Sequence, residues 1–82
     1  MEEQKPTVGR IVHYYPSDDD RILMNGLAAG NTHLNQYAAI ITAVWSNDLV
    51  NLKVFLDGPI DLTNLSASLG DEHGMWSWPK RV

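Results

Sequence analysis

Three histidines, ten carboxylates and a scatter of serines are the groups through which this chain could do bond-making chemistry. His13, His33 and His73 fit no metal-ligand spacing, and no carboxylate joins two of them at helical separation, so no metal site is expected. Asp18-Asp19-Asp20 lacks the alternation of a calcium loop, since Ile22 and Leu23 stand where ligands should follow. It reads instead as a solvated acidic run able to cap a helix. Ser46, Ser66, Ser68 and Ser77 all have strand or turn explanations. The glycines of Gly26-Leu27-Ala28-Ala29-Gly30 do not form a phosphate loop or a dinucleotide fingerprint. Nothing here makes a nucleophile, base and orienting group. The expectation is a protein that is not an enzyme and uses no cofactor.

Binding chemistry is better represented. Tyr14, Tyr15, Tyr37, Trp45, Phe55, Trp76 and Trp78 are many rings for 82 residues, and some must build the core. Others are free for recognition. Tyr14 and Tyr15 fall on opposite strand faces, so one points outward. Phe55 shares a face with Asn51 and Lys53. A ring stacked on an aromatic side chain is worth about 1–3 kcal/mol, and Arg10, Lys53 or the Lys80-Arg81 pair could hold a phosphate. The candidate ligand-binding residues are therefore Arg10, His13, Tyr15, Asn51, Lys53, Phe55, Trp78 and Arg81.

The elements that must position these groups are organised around Tyr37–Gly58. Val50, Leu52, Val54 and Leu56 alternate with Asn51, Lys53 and Phe55, the period of a strand with one buried face. The preceding run, β-branched at Ile40, Ile41, Thr42 and Val44, is also a strand. Ser46-Asn47-Asp48 supplies the turn between them, and Asp57-Gly58-Pro59 ends the hairpin. Upstream, Thr7–Tyr15 reads as a strand with Val8, Arg10, Val12 and Tyr14 on one face, and Gly9 marks a bulge or a close backbone approach. Residues 1–6 are expected to fray. Residues 16–36 form a long excursion, with a helical turn at Arg21–Met24 capped by Asp18 or Asp19 and stopped at Asn25-Gly26. Its Ile22, Leu23, Met24, Leu27 and Leu34 call for burial, and Leu27 or Leu34 could cap the core. Ile60–Leu65 reads as a loop. Leu65–Leu69 makes a fourth strand, with Leu65, Ala67 and Leu69 inward. A fifth follows at Met75–Trp78, where Trp76 and Trp78 share a face.

Five short strands with a long first connection predict a single all-β domain over residues 1–82. It is an SH3-like barrel or a strongly bent five-stranded antiparallel sheet. So small a domain buries only about 60% of its unfolded surface. With no cysteine to brace it, it depends on its core, on oligomerisation, or on both. The net charge of −4 argues against a nucleic-acid partner. No apolar run reaches membrane-spanning length, and the polar start MEEQKP is no signal peptide. The expected location is the cytosol.

Gly9-Arg10-Ile11-Val12-His13-Tyr14, Ala39–Trp45, Val50–Gly58 and Trp76-Ser77-Trp78-Pro79 follow one another in a distinctive order. Together they resemble a family of small phage and prophage proteins with the pattern GRIVHY…AIV..VW…VNL.VF.DG…W.WP. The resemblance implies a small β fold in a phage setting, in the cytosol of a host cell, and brings no established activity. Two functions follow as expectations. One is an oligomeric counter-defence sponge that sequesters a nucleotide-derived immune signal of the host. The other is a virion accessory or protein-interaction module. The partner is accordingly a small nucleotide-like ligand or a protein, with a homo-oligomer expected and no nucleic acid or membrane.

Overall fold

A computed structural model describes residues 5–26, 34–56 and 61–79, with Asn64 and Leu65 described through their backbone only. Its strands are β1 (Ile11–Tyr14), β2 (Tyr37–Val44), β3 (Leu49–Phe55), β4 (Asp61–Leu69) and β5 (Met75–Ser77), and one helix, α1 (Asp18–Asn25), follows β1. The strands pair in sequence order and β5 returns to β1, closing an all-β, SH3-like barrel rather than an open bent sheet. The closing contacts are short: β5 pairs with β1 at His13 and Tyr14 and with β4 at Ser68 and Leu69.

One pairing departs from the expected antiparallel sheet. β4 and β5 run parallel, with Ser68 opposite Met75 and Leu69 opposite Trp76. Parallel neighbours ordinarily need a long crossover. Here the contact spans two residue pairs, so the short Gly70–Gly74 connection can loop back and restart beside Ser68. The Gly70 N–H donates to the Trp76 carbonyl at 2.8 Å and fixes that return.

The alternation of β3 is realised: Val50, Leu52 and Val54 of the strand, and Leu56 just beyond it, are buried. They meet Val12 and Tyr14 of β1, Ile41 of β2 and Trp76 of β5 in one core. Trp76 is fully buried, and its indole N–H donates to the Asp48 carbonyl at 3.0 Å. A buried indole needs such a partner.

The helical part of the excursion is longer than the expected turn at Arg21–Met24, running over Asp18–Asn25, and residues 27–33 lie outside the described residues. Ser17, not Asp18 or Asp19, caps α1. Its hydroxyl accepts from the Asp20 N–H at 3.1 Å, and the Asp20 carboxylate accepts from the Ser17 N–H at 3.0 Å. This is a capping box, which needs a hydroxyl at the cap and an acid three residues on. Asp20 also accepts from the buried Tyr14 hydroxyl. Residues four apart share a helix face, so Asp20 and Met24 face the barrel together and Met24 joins the core. Ile22, Leu23 and Leu34 stay exposed, against the expectation that they would be buried. Leu27 lies outside the described residues.

Several boundaries also move: β1 begins at Ile11 rather than Thr7 and ends at Tyr14, and β5 ends at Ser77 rather than Trp78. Of the residues expected to fray, Pro6 is buried, and residues 1–4 lie outside the described residues. The expected loop at Ile60–Leu65 is largely strand, since β4 starts at Asp61 with Leu62 inward. Leu69, expected inward, is exposed. The pairing shifts between Val50 and Leu52, and Ser66 adopts a left-handed φ of 61°, which breaks the alternation before Leu69.

Candidate ligand-binding site

Strict alternation would turn Arg10 inward with Val12, where an unpaired guanidinium cannot stay. Gly9 prevents this. Its φ is +93°, its N–H donates to the Ile41 carbonyl at 2.8 Å, and the Ile41 N–H donates to the Arg10 carbonyl at 3.0 Å. Two residues thus oppose one, the geometry of a bulge, and bulges re-aim side chains. Arg10 remains exposed, with its guanidinium carbon 5.1 Å from the centre of the Trp78 ring. Trp78 packs partly on the core and meets Trp76 edge to face, centroids 5.2 Å apart. The rotamer freedom of Trp78 is limited from two sides.

Beside this stack runs a groove of about 490 Å³, lined by His13, Tyr15, Gln36, Asp71, Ser77 and Trp78. That volume lies in the range of small-molecule sites. His13 and Ser77 are register partners across β1 and β5. The Tyr15 hydroxyl and Ser77 Oγ are hydrogen-bonded at 2.9 Å, which fixes the tyrosine ring at the groove wall. Backbone bonds hold the same seam: the Tyr15 N–H donates to the Met75 carbonyl at 2.9 Å, and the Gly74 N–H donates to the Tyr15 carbonyl at 2.6 Å. The groove therefore offers aromatic walls and neutral and acidic hydrogen-bonding groups, and among the described residues the Arg10 guanidinium lies against its Trp78 wall.

Of the residues singled out from sequence, Arg10, His13, Tyr15 and Trp78 come together here. Asn51, Lys53 and Phe55 do not. They lie on β3, separated from β1 by β2. Lys53 forms an ion pair with Asp61 at 3.5 Å. Asn51 is a structural staple: its Oδ1 accepts from the Ser66 N–H at 2.8 Å and from the Trp45 indole N–H at 3.0 Å. It stitches the β3/β4 irregularity while steadying Trp45, which is 63% exposed. Phe55 is a partly exposed ring on the outer face. Arg81 lies outside the described residues.

Gln36, Asp71 and Ser77 are groove residues that sequence reasoning did not pick. Ser77 had a signal, since it alternates with the inward Trp76 on β5 and so faces outward. Gln36 and Asp71 had none, because only the β1–β2 register and barrel closure bring them to Tyr15 and Trp78. Among the described residues no three His, Asp or Glu side chains gather closely enough to share a metal ion. Among the same residues no helix is long and apolar enough to cross a membrane. No family model matches the chain, and neither a curated protein nor a solved structure matches it.

Proposed function

We propose that this chain is a small non-enzymatic binding protein whose β1/β5 groove captures a nucleotide-like ligand. The observation that carries this reading is the Arg10 guanidinium over Trp78, whose ring is a wall of the groove that Tyr15 and His13 also line. A planar base suits the aromatic wall. An anionic group suits the exposed guanidinium, which offers several N–H donors in one plane. A protein that binds such a ligand without turning it over lowers its free concentration by mass action alone. Together with the resemblance to phage proteins, this supports sequestration of a nucleotide-derived host immune signal in the cytosol. A homo-oligomer fits that role, with a second subunit completing the half-open groove.

A second reading, a virion accessory or protein-interaction module, is favoured by one feature: a large aromatic side chain, Trp45, exposed yet held by Asn51. Rigid exposed tryptophans are frequent anchors of protein interfaces.

Native mass spectrometry with a panel of cyclic and ADP-ribose-type nucleotides separates the two. Sequestration predicts a stoichiometric adduct that releases intact ligand on denaturation and is lost in Arg10→Ala and Trp78→Ala. No adduct across the panel would overturn the nucleotide reading and leave the interaction module.

A further inference from the structure

The groove does not end at Asp71. A second depression of about 440 Å³ is lined by Asp71, Glu72 and His73, so Asp71 stands on the ridge shared by the two. The loop that carries it is held from several directions. The Gly70 N–H bonds the Trp76 carbonyl at 2.8 Å, the Met75 N–H bonds the Glu72 carbonyl at 3.0 Å, and the Gly74 N–H bonds the Tyr15 carbonyl at 2.6 Å. Asp71 and Glu72 are exposed side chains on a fixed backbone. They are acceptors presented to whatever extends past the aromatic wall.

Resting on the reading that the groove takes a nucleotide-like ligand, we infer that Asp71 is a specificity determinant which accepts hydrogen bonds from a vicinal diol. The ligand then has two parts. Its base lies against Tyr15 with the anionic group toward Arg10, and its sugar hydroxyls cross the ridge toward Glu72. A carboxylate is an acceptor with two oxygens, and a cis-diol offers two donors at matching separation. The same acid repels a second anionic group, so the ligand's phosphate is kept on the Arg10 side. This assigns to the β4–β5 loop the choice between ribose ligands and their deoxygenated counterparts.

The test compares adenosine monophosphate with its 2′,3′-dideoxy counterpart by calorimetry, on the wild-type chain and on Asp71→Asn and Asp71→Ala. Both substitutions are at an exposed side chain, and far-ultraviolet circular dichroism checks that the barrel is intact. Hydrogen bonds to a charged acceptor lead to an expected loss of about tenfold or more for the dideoxy ligand on the wild type. Asp71→Ala should erase that difference, so that the two ligands bind alike. Equal binding of both ligands to the wild type, or discrimination that survives in Asp71→Ala, overturns the role of Asp71 while leaving the groove reading standing. If neither ligand binds the wild type, but a nucleotide from the wider panel does, the same pair of measurements on that nucleotide and its deoxy form decides the point. If nothing in the panel binds, the groove reading fails, and this inference with it.

Discussion

At the scale of single residues, the protein repeatedly uses one polar atom to serve two partners. Asp20 is the clearest case. Its carboxylate accepts from the Ser17 N–H, completing the helix cap, and from the Tyr14 hydroxyl, whose side chain is fully buried. The cap of α1 and the core of the barrel are thereby one structure. Tyr14→Phe removes the donor and leaves a charged acceptor under-satisfied at little change in volume. The expected loss of stability is about 1–3 kcal/mol, read by urea denaturation, with an unchanged m-value if the denatured state is unaffected. A change below about 0.5 kcal/mol, typical of surface substitutions, would show that the bond is not a net stabiliser. Asn51 works in the same way between Ser66 and Trp45. This explains why it looked like a binding residue in sequence. An outward polar side chain among rings on a strand has the same signature whether it meets a ligand or its own backbone.

At the scale of elements, the β4–β5 connection controls the groove. Gly74 has a φ of +82°, and an added Cβ would meet only the Ser17 Cβ at 3.9 Å, an ordinary contact. Gly74→Ala should therefore act through backbone strain rather than collision, costing about 1–2 kcal/mol. For a domain of this size each kcal/mol lowers the melting temperature by about 4–8 °C. The Gly74 N–H is bonded to the Tyr15 carbonyl, so the strain falls on the groove wall and ligand affinity should drop along with Tm. A lowered Tm with unchanged affinity would separate the loop from the site. The legibility of the elements follows local patterning. β3 was plain because Val50, Leu52 and Val54 alternate without interruption. The start of β4 is hard to read from sequence because Asp61 and Asn64 are poor strand formers taken alone. Pairing with β3, including the Lys53–Asp61 ion pair, overrides that propensity. Half of the named site residues converge because β1 and β5 turned out to be neighbours. Asn51, Lys53 and Phe55 do not join them, because strand order around a barrel, not alternation within a strand, decides which outer faces meet.

At the scale of the whole molecule, charge makes a prediction that a nucleic-acid binder would not share. The chain carries a formal charge of −4, spread over a body of 41 × 28 × 21 Å. At about 0.01 M salt the screening length is about 30 Å, comparable with the whole molecule. An anionic nucleotide approaching from any side then meets net repulsion, and Arg10 is felt only at close range. At about 0.15 M salt the screening length falls to about 8 Å. The distant carboxylates fade, while the contact between Arg10 and the ligand's anionic group, formed at hydrogen-bond distance, is weakened less. The association rate of a nucleotide should therefore rise severalfold between these conditions, the reverse of electrostatic steering by an opposite charge. Stopped-flow quenching of tryptophan fluorescence across a salt series reads this directly. A rate that falls steeply with salt would mean that a concentrated positive surface guides the ligand. The capture site would then have to include basic groups beyond Arg10, and Arg10 alone would no longer account for binding.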